Sequence, residues 1–176
     1  MLATLLSLSE FLQQPEIEAS PAWELWDGQS SPKPMPTLYH SRLQKRLSAA
    51  IDAANSAYEA LPEFRCNFDQ SSLVPDIAVV RRDRLPTDNR ALEGAPDWAI
   101  EILSPDQSTT KLLAKAQRFL AHGCQLVWII DTAAASAIAL FPQSPLQVCS
   151  GADRLPVLPE ISLELTVEHL MNWLVS

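Results

Sequence analysis

Three short apolar runs constrain this chain most: SLVPDIAVV at 72–80, DWAIEIL at 97–103 and LVWIID at 126–131. Each is rich in β-branched or aromatic residues, is bounded by turn residues, and carries apolar groups on both faces. That pattern predicts central strands buried between layers rather than solvent-facing ones. Between the second and third runs, Ser108 to His122 repeats its apolar residues at Leu112, Leu113, Ala116, Phe119 and Leu120, which is one face of a helix. Gly123 follows, and glycine ends helices well because it enters the left-handed conformation without steric cost. The order strand, strand, helix, strand around one core predicts an α/β (α+β) fold with a central mixed sheet flanked by helices.

The remaining segments fit this frame. Leu2 to Leu12 predicts a helical turn or two, WELWDG (23–28) ends on an Asp-Gly hairpin signal, and SPKPMP (31–36) predicts a loop. His40 to Tyr58 spaces Leu43, Leu47, Ala50, Ile51 and Ala54 along one helix face. Strands are expected at Ala137 to Phe141 and Leu146 to Cys149, and a last helix at Val167 to Leu174. The 176 residues, with 47% apolar and 19% charged, suit one domain spanning 1–176 with a core that needs no staples. Cys66, Cys124 and Cys149 are odd in number and lack zinc-ligand spacing, so a reducing, cytoplasmic setting is expected. The opening MLATLLSLSEFLQQP has no basic leader and is interrupted by Glu10, and no run reaches the roughly eighteen apolar residues of a membrane helix. A soluble protein with no membrane partner is therefore expected.

Two acids stand where acids are costly. Asp76 and Glu101 each fall inside an apolar run, and a carboxylate in such surroundings needs a cation or a hydrogen-bond network. By alternation, Asp76 shares a face with Val74, Ala78 and Val80, and Glu101 with Ala99 and Leu103. On neighbouring strands the two carboxylates converge. Like charges brought together raise a pKa unless a cation binds between them, and oxygen ligands select a hard ion such as Mg²⁺ or Mn²⁺. Taken singly, each acid has a plain alternative: Asp76 follows Pro75 and can start its strand from a turn, and Glu101 can pair with an arginine. About fourteen residues separate the two strands, a length that usually has a functional use.

Lys115 lies about 100° around the helix from the centre of the apolar stripe, Lys111 about 140° and Arg118 about 160°. Lys115 is thus nearest the sheet, although spacing alone favours a lysine that snorkels to solvent. The net charge of −8 and pI near 4.8 count against a broad basic surface for nucleic acid. A local groove remains open, with Arg81, Arg82, Arg84 and Arg90 as the candidate patch for nucleic-acid binding. The alternative is that these arginines pair with Asp83 and Asp88 on a solvated loop.

PDIAVV, then PDWAIEILSP, a lysine eight residues before the glycine of a helix-to-strand turn, and VWIID together resemble the Uma-two family (domain of unknown function 820) of the PD-(D/E)XK nuclease-like superfamily. The resemblance runs from WELWDG through the helix beginning at His40 to LPVLPEISLELTVEHLMNWL. It implies a restriction-endonuclease-like core and a metal-dependent endonuclease acting on DNA. On this resemblance Asp76 and Glu101 match the metal-binding acids, the carbonyl of Ile102 is a further ligand, and Lys115 matches the family's helix lysine. Mg²⁺ is the implied cofactor, with Mn²⁺ as a substitute, and a homodimer is compatible with it. Leu103 departs from the superfamily pattern, standing where a strand lysine is usual. Two other functions fit the same residues: a catalytically silent protein that binds nucleic acid, and an interaction protein that keeps only the fold.

Overall fold

The computed structural model describes residues 5–54 and 57–175. In chain order its elements begin with α1 (Leu8–Leu12), β1 (Trp23–Trp26), β2 (Gln29–Pro32), α2 (Leu38–Ala53), β3 (Tyr58–Pro62), β4 (Cys66–Phe68), β5 (Ser71–Leu73) and β6 (Ile77–Arg81). They continue with β7 (Leu92–Glu93), β8 (Trp98–Ile102), α3 (Thr109–Ala121), β9 (Leu126–Asp131), β10 (Ser136–Leu140), β11 (Gln147–Ser150) and α4 (Val167–Val175). The class is mixed α+β, as the segment order predicts. The strands, however, form two mixed sheets rather than one: a six-stranded sheet ordered β11-β10-β9-β8-β6-β3 and a five-stranded sheet ordered β2-β1-β5-β4-β7.

The larger sheet holds the three apolar runs as neighbours, with β6 antiparallel to β8 and β8 parallel to β9. One face, carrying Ile77, Val79, Trp98, Ile100, Trp128 and Ile130, packs with the apolar stripes of α2 and α4. The opposite face, carrying Ala78, Val80, Ala99, Val127 and Ile129, packs with Leu112, Ala116 and Phe119 of α3 and with Cys66, Phe68 and Leu73 of the smaller sheet. So α3 has sheet residues on two sides.

Local chemistry sets several boundaries. Ser7 and Glu10 form a capping box that starts α1 at Leu8; residues 2–4 of the expected helix lie outside the described residues. In the β1–β2 hairpin Asp27 and Gly28 both take positive φ, 51° and 72°, as a tight hairpin turn demands. Strand β2 extends through Ser31 and Pro32, so the proline-rich loop begins only at Lys33. Thr37 caps α2, which starts and stops earlier than its apolar spacing predicts, and Tyr58 opens β3 instead. Strands β3, β4 and β7 have no counterpart among the sequence expectations. No helix among the described residues is long and apolar enough to cross a membrane.

One correction matters for the site. The run SLVPDIAVV is not a single strand: β5 ends at Leu73 in the smaller sheet, β6 begins at Ile77 in the larger, and Val74, Pro75 and Asp76 form the crossing. Pro75 has no N–H to give to a ladder, which suits it to a strand break. Asp76 therefore stands at the mouth of β6, where the two sheets part, rather than inside a strand.

Phe119 sits one turn beyond Lys115 on α3, fully buried, with its ring centroid 5.7 Å from that of Phe68. Phe119→Ala should cost about 3–5 kcal/mol, the range for emptying a buried aromatic site. Urea unfolding monitored by circular dichroism measures this. A loss below about 1 kcal/mol would contradict the packing described.

Candidate active site

The crossing between the sheets opens into a cavity of about 330 Å³ whose walls include Glu24, Lys33, His40, Glu63, Asp76, Glu101, Ile102 and Lys115. Each residue reaches it from a different element. Glu24 comes from the middle of β1, Lys33 from the loop after β2, His40 from the first turn of α2, Glu63 from the end of β3, Glu101 from β8 and Lys115 from α3. The segment Glu18 to Ala22 closes one side. It is anchored by Arg65, whose buried guanidinium donates to Glu18, to Ser72 and to the carbonyls of Ile17 and Trp23.

Asp76 is held from two sides. Its Oδ2 accepts from the Ile102 amide at 2.7 Å, which ties it to the residue after Glu101 on the neighbouring strand. Its Oδ1 meets Lys33 Nζ at 2.7 Å and His40 Nε2 at 3.0 Å. Lys33 also contacts Glu63 Oε2 at 2.8 Å. Gln44 donates to the Asp76 carbonyl at 2.7 Å and to Glu63 at 3.1 Å, fixing both from α2.

Glu101 is 1% exposed and Lys115 4% exposed, and the two meet at 2.7 Å. Lys115 also pairs with Glu24 at 2.7 Å and donates to the Val74 carbonyl at 3.3 Å. The snorkelling lysine that spacing alone favours is thus replaced by a buried one. The reason is the smaller sheet, which covers the flank of α3 that would otherwise face water. Lys111, further around, is exposed and lies against the Trp26 ring. Glu101 Oε1 faces Lys115 without an aligned hydrogen bond, and His40 Nδ1 is buried with no partner.

Burial penalises every charge in this cluster, and the neighbours decide the outcome. Burial alone would raise Asp76, but Lys33 and the His40 hydrogen bond more than offset it, so its carboxyl lies below the ordinary range. At Glu101 burial outweighs Lys115, and the Asp76 charge adds to it, pushing the carboxyl up to about 8. Both lysines are raised, because their carboxylate partners overcome the burial that would lower them.

Apart from Glu18, which Arg65 neutralises, the cavity holds four carboxylates against two ammonium groups, a net charge of −2 when all are ionised. Carboxylates in excess of the ammonium groups, one of them offering a buried Glu101 oxygen without an aligned hydrogen bond, fit a hard divalent cation. Asp76 and Glu101, with Ile102 beside them, could hold such an ion. Within 4.8 Å of one another, His40, Glu63 and Asp76 also offer three ligand atoms, a trio that does not include Glu101.

The other expected site residues lie elsewhere. Arg81 pairs with Glu160 and Asp83, Arg82 with Glu59, Arg84 with Asp97 and Arg90 with Asp88. None of the four lines the cavity. Leu103 is half-buried just beyond β8 and packs with the core on the α3 side. Glu24, Lys33, His40, Gln44 and Glu63 are not among the site residues expected from the sequence. Glu24 carried a usable signal, an acid in the apolar strand WELW, and His40 continues the stripe of Leu43 and Leu47 on α2. Lys33, between prolines, carried none.

Two mixed sheets meeting over buried acids and a helix lysine define a protein of nuclease fold. The chain belongs to the Uma2 family, described as "Putative restriction endonuclease", whose model matches residues 8–168. It is similar to a crystal structure of a "putative nuclease belonging to DUF820" from Anabaena variabilis ATCC 29413, with a TM-score of 0.90 and 36% sequence identity over 97% of this chain and 99% of that one. No curated protein matches.

The raised Glu101 carboxyl has a consequence for stability. The folded protein holds this proton more tightly than the unfolded chain, whose glutamate titrates near 4.5, so the contribution is full below that pH and is lost as pH rises through about 8. In EDTA, the wild-type melting temperature should therefore fall between pH 5 and 8.5, and Glu101→Gln should flatten the slope. A slope unchanged by the substitution would contradict the assignment.

Proposed function

We propose that this protein is an endonuclease that hydrolyses DNA phosphodiester bonds in a Mg²⁺-dependent manner, with Mn²⁺ able to substitute, through a single domain spanning 1–176. The observation that carries this reading is the burial of Asp76, just before β6, and Glu101, on the neighbouring β8, beside Lys115, in a cavity with excess negative charge. Asp76, Glu101 and the Ile102 carbonyl are the proposed ligands. A bound divalent ion would supply positive charge to the scissile phosphate and raise the acidity of the attacking water.

The chain's own residues do the rest. Asp76, fixed by the Ile102 amide and by Gln44 on its own carbonyl, presents a carboxylate with little freedom to reorient. Such preorganisation is where most electrostatic catalysis originates. Lys115, held by Glu24 as well as Glu101, keeps an ammonium at the cavity floor, where it stabilises charge that develops on the phosphate. With Leu103 in the place where a strand lysine is usual, the helix supplies the ammonium instead. Arg81, Arg82 and Arg84 are engaged by acids away from the cavity, so the phosphate contact inside it is assigned to Lys115. Three unpaired, buried cysteines suit a reducing, cytoplasmic compartment.

Supercoiled plasmid and single-stranded DNA, incubated with Mg²⁺ or Mn²⁺, should be cut by the wild type and left intact in EDTA. Lys115→Met should lower the rate by at least about a hundredfold, the scale for losing one electrostatic contact to a transition state, and Lys111→Met much less. Circular dichroism shows whether each variant is folded. A folded Lys115→Met protein cutting at the wild-type rate would refute the lysine's role, and no cleavage of either DNA form with either ion would refute the nuclease reading. Mn²⁺ should also raise the wild-type melting temperature, since a ligand that binds only the folded state stabilises it. That shift should vanish in Asp76→Ala and Glu101→Ala.

A further inference from the structure

The cavity contains two buried lysines, and only Lys115 is accounted for by the proposed chemistry. Lys33 deserves its own explanation because of where its ammonium sits. It bridges Asp76 Oδ1 at 2.7 Å and Glu63 Oε2 at 2.8 Å, while His40 Nε2 approaches the same Asp76 oxygen at 3.0 Å. Asp76, Glu63 and His40 are also the three residues whose ligand atoms lie within 4.8 Å of one another. The ammonium thus occupies the position around which two carboxylates and an imidazole would coordinate a cation. The other Asp76 oxygen is already committed to the Ile102 amide.

A divalent ion and an ammonium cannot share that position. Two positive charges a few ångströms apart beside the buried Asp76 carboxylate repel strongly, and the oxygen that would ligate the ion is the one Lys33 occupies. Lys33 enters from the loop between β2 and α2, a flexible four-carbon stem on a connection rather than on the sheet, so its head can leave without moving a strand.

We propose that Lys33 is a resident stand-in for the divalent cation: it neutralises Asp76 and Glu63 in the metal-free protein, and the ion displaces it from Asp76, the ligand shared with the nuclease reading, with Glu63 and His40 as further donors on the Lys33 side. This inference rests on the metal-dependent reading above and adds a residue that sets the metal affinity. Lys33 is a positioning residue here, acting on the ion and not on the substrate. Displacement also frees an ammonium at the cavity wall, where an anionic phosphate is then its natural partner, so metal and phosphate-bearing ligand should bind with positive coupling.

The test needs no turnover. Titration calorimetry of Mn²⁺ into metal-free protein should show Lys33→Met binding at least about tenfold more tightly than wild type, and Glu63→Gln more weakly than wild type. In EDTA, Lys33→Met should melt lower than wild type and gain more from Mn²⁺. Should that variant fail to fold, the wild type answers alone. Acetylation by an N-hydroxysuccinimide ester, read by peptide mass spectrometry, should spare Lys33 without metal and reach it at saturating Mn²⁺, with exposed Lys111 as the loading control. Equal or weaker Mn²⁺ binding by folded Lys33→Met, or Lys33 still protected at saturation, overturns the exchange while leaving the nuclease reading intact. Absence of Mn²⁺ binding from both proteins overturns the exchange and the metal dependence together, which the cleavage assay reports separately.

Discussion

Burying ionisable groups is costly unless each finds an opposite charge or a hydrogen bond, and this fold buries Asp76, Glu101, Lys33 and Lys115 in one place. The two sheets are joined by what satisfies them. Glu24 of the smaller sheet reaches Lys115 and the Val74 amide, Arg65 of the loop before β4 fastens the N-terminal segment over the cavity, and Asp76 is tied to Ile102 of the larger sheet. Removing one partner from such a cluster leaves an uncompensated charge, which is worse than never having had the pair. The arrangement therefore holds as a unit, and its surplus of negative charge gives it a use for a cation.

Much of the larger sheet was legible in the sequence. LVWIID became β9 without change, Gly123 ends the last turn of α3 with φ 102°, and alternation placed Glu101 on the face of Ala99 that looks toward α3. Beyond the β1–β2 hairpin, the smaller sheet was not legible, for physical reasons. Its strands are two to four residues long, they draw polar groups such as Asn67, Ser71 and Ser72 into the interior, and β7 pairs with β4 from across a long connection. Period-two patterns need longer runs than these to stand out. The same omission hid the fate of Lys115, since its burial depends on strands the pattern did not reveal.

Asp76 shows how a residue can be read rightly as unusual and wrongly as to its setting. The signal, an acid next to apolar residues, was sound. Its cause was the crossing between sheets at Pro75, which turns the chain and leaves the carboxylate at the end of one strand and above the next. A strand interior holds for Glu101 in β8 but not for Asp76, yet alternation along β6 and β8 still brings the two acids toward one cavity, because Asp76 directly precedes the first residue of β6. Lys33 and Glu63 could be found only by folding the chain, since Asp76, which they meet, lies 43 and 13 residues away in sequence.

An acidic protein that acts on a polyanion must concentrate its positive charge where the phosphate sits, and bound cations do this more effectively than a diffuse basic surface. Arg81, Arg82, Arg84 and Arg90 pair with acids outside the cavity, and on the proposed reading a bound ion and the cavity's own ammonium groups meet the phosphate. The most direct measurement is anomalous diffraction from a crystal grown metal-free and soaked in Mn²⁺. One strong peak is expected within bonding distance of the Asp76 carboxylate, inside the cavity, with the Lys33 side chain moved off its Oδ1. An empty cavity at saturating Mn²⁺, or a peak with Lys33 still seated on Asp76, would contradict it.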